Sequence, residues 1–140
     1  MGLPYPEQET LTEVACRQLL TEVAVGRLVF TARALPAIQP VPFTVHEERI
    51  VIPVQTGSTL AVACRDAVVA FQTDGCRPDG RTTWSVTVVG LGHLVTGADA
   101  TAAFDRLKVS AWGPPGSRCY LEVSMTVMSG WRLAWSPQVG

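Results

Sequence analysis

Thr83–Val95 reads TWSVTVVGLGHLV, and the architecture turns on this stretch. Trp84, Val86 and Val88 alternate with Ser85 and Thr87, the period-two pattern of a strand with one buried face. The run is long for a straight strand. Gly90 and Gly92 interrupt it, and glycine inside a strand marks a bulge, a sharp bend or a close backbone approach. A long strand bent in this way lets an antiparallel sheet curl and close on itself.

The flanking segments fit the same plan. Upstream, Arg27–Arg33 (RLVFTAR) reads as a strand and Leu35–Pro36 as a turn. Ala37–Val45 (AIQPVPFTV) is a second strand, with Ile38 and Pro40 on one face and Val41, Phe43 and Val45 on the other. Its prolines place it at a sheet edge. His46–Arg49 suits a hairpin turn, after which Ile50–Val54 pairs back. Leu60–Arg65 is a short helix, Asp66–Thr73 an apolar strand, and DGCRPDGR a turn-rich loop. Downstream, Ala98–Lys108 reads as a helix with Ala102, Ala103 and Leu107 inward, followed by a loop carrying Pro114-Pro115-Gly116. Tyr120–Met128 alternates, Ser129-Gly130 bends the chain, and Trp131–Trp135 continues as a strand. Before all of this, Thr10 and Glu13 make a capping box for a helix with Leu11, Val14, Ala15, Leu19 and Val23 as its apolar stripe, ended by Gly26. The count comes to about six strands and three helices, without the regular β-α alternation of a doubly wound sheet. The expected fold is mainly β: a small antiparallel barrel with helices packed outside.

Composition bounds the function. The chain has 140 residues, 47% of them hydrophobic and 16% charged, with a net charge of −1. That suits one domain over residues 10–140 behind a loose arm at residues 1–9, and excludes a disordered chain. The charge balance excludes a general nucleic-acid binder, including a single-strand-binding barrel, which needs positive charge interleaved with aromatics. No apolar run approaches the ~20 residues of a membrane helix. MGLPYPEQET lacks the order of a signal peptide, so the expectation is a soluble, cytoplasmic protein. Cys16, Cys64, Cys76 and Cys119 have no metal-clip or redox spacing; Cys76, in its polar turn, is the one expected to be exposed. Catalytic motifs such as Gly-x-Ser-x-Gly, a phosphate-binding Walker loop and His-Glu-x-x-His are absent.

Three segments carry candidate binding chemistry. Thr56-Gly57-Ser58-Thr59 joins a strand to a helix start, where free N–H groups favour an anion. Its hydroxyls equally suit a plain helix cap. Trp84-Ser85 offers an indole wall and a hydrogen bond to a planar ligand, or simply a core tryptophan beside a strand serine. Pro40–Phe43 (PVPF) leaves backbone carbonyls unpaired, for a ligand or as protection of an edge. Lys108 is the only lysine, so a phosphate clamp rests on arginine, hydroxyls and backbone; Arg65, Arg81 and Arg132 are the candidates.

Taken in order, VGRLVF, PAIQPVPFTV, TGSTL, AVVAFQTD, TTWSVTVVGLGHLV and the last alternating strand resemble the pyridoxamine 5′-phosphate oxidase-like flavin-binding split-barrel family. The likeness is nearest to its small actinobacterial and nitroimidazole-resistance-type members and spans about residues 10–135. It implies a six-stranded split barrel, a homodimer, and FMN or a deazaflavin in clefts between subunits, for redox chemistry on an unnamed small molecule. By the same resemblance Val41, Pro42 and Phe43 flank the flavin ring, and Thr56, Gly57, Ser58, Thr59 and Leu60 form the phosphate segment. Trp84 and Ser85 would line the cleft. Thr59 stands where the family usually has lysine, and Trp131 where its Thr-Gly-Arg-Arg ending has arginine, leaving Arg132 as the remaining cation of that ending. These departures favour the alternative the fold also allows, a dimer that has lost flavin and serves as a non-enzymatic binding or structural protein.

Overall fold

The computed structural model describes residues 6–109 and 117–135. Its organising element is the strand over Thr82–Val95, here β7. The earlier elements are β1 (Pro6–Thr10), α1 (Glu13–Leu20), β2 (Val25–Ala32), β3 (Leu35–Pro42), β4 (Thr44–His46), β5 (Arg49–Gln55), α2 (Thr59–Cys64) and β6 (Val68–Cys76). After β7 come α3 (Ala98–Asp105), β8 (Arg118–Ser124) and β9 (Val127–Trp135). The strands run in the order β3-β2-β6-β7-β8-β5-β4, with β9 joining β7 to β1. Every pairing is antiparallel.

The two glycines of β7 mark a change of partner. The strand pairs with β9 as far as Val89 and with β8 from Gly92 onward. A Cβ on Gly90 would collide with the Ser124 carbonyl, and one on Gly92 with the Cys64 carbonyl. Both obstacles are backbone, so only glycine lets the sheet curl here. The result is the expected curled antiparallel sheet with helices outside. Among the described residues it has nine strands rather than about six.

Some expectations need correction. Pro6–Thr10 pairs with β9 as an outer strand, not a loose arm. Thr12, not Thr10, caps α1, its hydroxyl accepting the Ala15 N–H at 3.2 Å. The inward face of α1 is Cys16, Leu19 and Leu20, while Val14 is 69% exposed. The first hairpin turns at Arg33–Ala34, both with positive φ, and Leu35–Pro36 already belongs to β3. The PVPF strand breaks at Phe43, and the expected Tyr120–Met128 strand breaks after Ser124. Gly130 lies inside β9 rather than at a bend, and a Cβ there would sit 2.6 Å from Cys16 Sγ. Other readings stand: β3 is a sheet edge, and Glu47–Glu48 is a tight turn with φ of 47° and 63°. The loop with Pro114-Pro115-Gly116 lies outside the described residues.

One core fills the curl, centred on Leu28, Ile50, Ile52, Phe71, Val86 and Leu121. A second, smaller cluster of Val51, Val95 and Tyr120 lies under α3, with Phe104 of that helix and Leu107 of the turn after it packed against it. Ala102 and Ala103, expected inward, are exposed, because α3 rests on Phe104, with Leu107 packing from the turn beyond it. The Tyr120 hydroxyl donates to the Asp105 carboxylate at 2.5 Å. Burial, then this carboxylate, push the phenol up to about 12. The folded state therefore holds that proton more tightly than an unfolded tyrosine, whose pKa is about 10. Stability from this group is full below pH 10 and is lost as pH rises from 10 toward 12. Denaturant midpoints should fall over that interval, and Tyr120→Phe should flatten the fall while costing about 1 kcal/mol at pH 7. All four cysteines are free; Cys16, Cys64 and Cys119 are buried and Cys76 is exposed. Burial raises Cys64 to about 11.

Candidate functional site

The clearest cleft lies where the edge strand β3 passes the end of β5 and the start of α2. It encloses about 330 Å3 between Gln39–Pro42, Pro53–Gln55 and Ser58–Leu60. Each wall has a local cause. Pro40 and Pro42 have no N–H, so the free edge of β3 offers carbonyls without the donors that would recruit another strand. Phe43 then turns inward onto Phe71, with ring centroids 4.6 Å apart. A Cβ on Gly26, opposite Val41, would collide with the Phe71 ring. Beyond β5 the chain reverses at Gly57, whose φ is +77°. Ser58 then caps α2, its Oγ accepting the Ala61 N–H at 3.2 Å.

Chemically the cleft is an apolar slot with a polar end. Val41, Pro42, Pro53, Val54 and Leu60 supply the walls, and Gln39, Gln55, Ser58 and Thr59 the polar groups. None of the lining residues is ionisable. Such a surface orients a ligand and excludes water, but has no nucleophile or acid–base pair of its own.

The structure brings together Val41, Pro42, Ser58, Thr59 and Leu60 in this cleft. Phe43 belongs to the core behind it. Gly57 and Thr59 line a neighbouring recess together with Arg33. Thr56 lines another, with Arg118 and the start of α3. Trp84 is buried in the core, beneath Gly75, where a Cβ would lie 2.8 Å from its ring. Ser85 is on the opposite side of β7, accepting from Gln72 Nε2 at 3.0 Å. Arg132, paired with Trp84 in the ladder, lies 3.7 Å from the Glu9 carboxylate. Trp84, Ser85 and Arg132 are thus outside the cleft of their own chain. Sequence reasoning missed Gln39, Pro53, Val54 and Gln55, while Pro40 belongs to the PVPF segment it singled out. The position of Gln55 just before TGST was the available signal; the approach of β3 to β5 was not visible locally.

The outer side of the sheet is apolar over a wide area. The register places Ile38, Val29, Ala70, Val89 and Val127 in one row across β3, β2, β6, β7 and β9. Val68 and Leu91 stand beside that row. Ile38, Val68 and Val127 are 68%, 70% and 58% exposed. Among the described residues no helix is long and apolar enough to cross a membrane.

Several known proteins are similar to this chain. The chain is 39% identical over 95 residues to the uncharacterized protein Rv0080 of Mycobacterium tuberculosis, covering 64% of this chain and 62% of that relative. The structure of an FAD binding protein from Mycobacterium smegmatis superposes with a TM-score of 0.74 at 27% identity, over 89% of this chain and 98% of the other. A Corynebacterium glutamicum structure, provisionally described as a pyridoxamine 5′-phosphate oxidase, gives 0.81 at 25% identity over 91% and 99%. An FAD-binding protein from Mesorhizobium loti shares the fold with a TM-score of 0.75 at 18% identity, over 93% and 99%. The model of the family described as pyridoxamine 5′-phosphate oxidase matches residues 12–132, which include the whole cleft and both glycines of β7. The chain belongs to the pyridoxamine 5′-phosphate oxidase family, with its split-barrel fold.

Proposed function

We propose that the protein binds a flavin nucleotide in the β3–β5–α2 cleft and acts as an oxidoreductase on a small molecule. The observation that carries this reading is the meeting of the PVPF strand and the TGST segment in one cleft, two segments separated by the hairpin over residues 44–55. FMN is the ligand the family resemblance implies; FAD is what the Mycobacterium smegmatis relative binds, and a deazaflavin is the other cofactor class to test. The isoalloxazine, when bound, supplies the hydride or electron chemistry. The chain supplies position and dryness. Val41, Pro42 and Leu60 wall off water, and the Gln39 and Gln55 amides suit the polar edge of a flavin ring. The Ser58 oxygen accepts from Ala61, while its hydroxyl hydrogen is free to donate to a phosphate oxygen. The Thr59 and Leu60 N–H groups, in the first turn of α2, have no intrahelical acceptor.

We further propose a homodimer formed through the outer apolar row, a face of the kind that marks subunit contacts. Ser85 and Trp131 are cross-strand neighbours on that same face, so a second copy there brings them to the interface. The flavin-free alternative is favoured by one observation: no cation lines the cleft.

Thermal shift with FMN, FAD and a deazaflavin nucleotide separates the readings. Ligand at 100 times its Kd should stabilise the fold by about 2.7 kcal/mol, and no shift with any of them supports the flavin-free dimer. Ser58→Ala should weaken binding by about threefold to tenfold. Loss of its cap should cost a further ~1 kcal/mol of fold stability. Unchanged affinity in Ser58→Ala would remove its hydroxyl from the phosphate contact.

A further inference from the structure

We infer that Arg27 and Asp74 fix how a second copy sits on the outer face of the sheet, Arg27 of each chain pairing with Asp74 of the other. This rests on the homodimer reading above. The apolar row does not set an orientation by itself. Ile38, Val29, Ala70, Val89 and Val127 are all aliphatic, and one such row lies on another equally well at several offsets. The next row differs in kind. Two residues along each strand the register sets Pro40, Arg27, Gln72, Thr87 and Ser129, and beyond them Asp74, Ser85 and Trp131. Of the residues in these three rows only Arg27 and Asp74 are charged.

The two charges belong to a network built across β2, β6 and β7. Arg27 Nη1 donates to Gln72 Oε1 and to Asp74 Oδ1, each at 3.3 Å. Gln72 Nε2 donates in turn to Ser85 Oγ at 3.0 Å. Gln72 is thus held at both ends, and Ser85 is buried, so the couple stands on a fixed base.

The couple has capacity left for a partner. Both contacts of Arg27 use Nη1, and a guanidinium carries five N–H groups. Asp74 accepts through Oδ1, which leaves Oδ2. Both side chains are half-exposed, so an apolar surface laid over them would take away water and give nothing back. A two-fold axis resolves this, because residue i of one copy meets residue j of the other, and the reverse. A cation beside an anion makes a face that complements itself in one orientation. Sliding or reversing the copy sets like charges together or leaves both without partners.

The test puts the exchanged charges on separate full-length chains. Arg27→Asp and Asp74→Arg are made singly, one of them isotope-labelled, and the mixture is sorted into homodimers and heterodimers by native mass spectrometry. Each variant alone should dimerise about tenfold or more weakly than the wild type, with an unchanged near-ultraviolet circular dichroism spectrum. Arg27→Gln should weaken the dimer in the same direction without a reversed charge. Mixed chains should form heterodimers about tenfold above the statistical ratio, since both cross-pairs are then of opposite sign. Arg17→Asp mixed with Glu48→Arg is the control. It carries the same charges at an ion pair of 3.2 Å between α1 and the β4–β5 turn, and should mix near the statistical ratio. Wild-type dimer strength in the single variants, statistical mixing, or a preference no greater than the control's would overturn the Arg27–Asp74 couple and leave the dimer reading standing. A monomeric wild type would overturn the dimer reading itself, and this inference with it.

Discussion

Gly90→Val is expected to abolish cooperative folding. The Cβ that valine introduces has to occupy the space of the Ser124 carbonyl, at the point where β7 leaves β9 and takes up β8. A flexible side chain could move away; the carbonyl of Ser124 belongs to the β8 backbone, which pairs there with Arg49 of β5, and cannot move without disturbing that ladder. Ordinary overpacking costs about 1–3 kcal/mol, and a backbone clash at the crossing of two sheet halves lies above that range. Since a domain has only about 5–15 kcal/mol in total, the variant should lose its near-ultraviolet circular dichroism and its sharp urea transition. Gly80→Ala is the control. Gly80 has a positive φ, +68°, and nothing lies within 4 Å of a Cβ there. It should cost only ~1–2 kcal/mol of backbone strain. If Gly90→Val unfolds with the wild-type midpoint, the crossing does not depend on glycine.

Charging the outer row should separate the proposed dimer. Ile38 and Val127 lie at the two ends of the apolar row and are 68% and 58% exposed, so the folded chain tolerates aspartate at either. Burial of such side chains contributes roughly 25 cal/mol per Å2 of apolar area. An aspartate at each end forfeits that gain in both copies and places unpaired charge in the contact. Sedimentation equilibrium should show a wild-type dimer and an Ile38→Asp/Val127→Asp monomer, with the dimer constant weakened at least about a hundredfold. The melting temperature should fall by the amount that dimerisation contributes, and fall further on dilution in the wild type than in the variant. A dimer that survives both charges is formed elsewhere. A wild type that is monomeric at tens of micromolar has no such dimer at all.

The parts of this fold that were legible in the sequence are those fixed locally. The alternation in β7 and its two glycines foretold the curled sheet, and Glu47–Glu48 between two strands foretold the hairpin. The cap at Ser58 followed from strand, Gly57 and hydroxyl in series. What was not legible depends on partners. Pro6–Thr10 (PEQET) has no strand pattern and is a strand only because β9 offers an edge. Thr10 and Glu13 satisfied the spacing of a capping box, but Thr10 is spent in that edge pairing, and Thr12 takes over the cap. In α3 the two alanines matched an inward spacing, yet Phe104, with Leu107 in the turn after the helix, packs on the second cluster and sets the rotation of the helix. The cleft itself was half legible. PVPF and TGSTL were visible as candidate segments, whereas Gln39 and Gln55 join them only because β3 and β5 approach in space. Trp84 stood out in sequence because it is large and neighbours a serine, and in the fold those same properties make it core.

The central claim is that the cleft between β3, β5 and α2 holds the flavin ring. Gln39→Trp addresses it directly, because Gln39 is exposed, lines the cleft and can carry an indole into it without disturbing the core. The decisive measurement is a visible-absorption titration of FMN and of FAD into the wild-type chain and into Gln39→Trp. The account predicts a saturable shift of the flavin bands with the wild type, and its loss in Gln39→Trp at an unchanged melting temperature. A wild type that leaves the flavin spectrum unaltered at excess protein, or a Gln39→Trp variant that binds both nucleotides as tightly as the wild type, would contradict it.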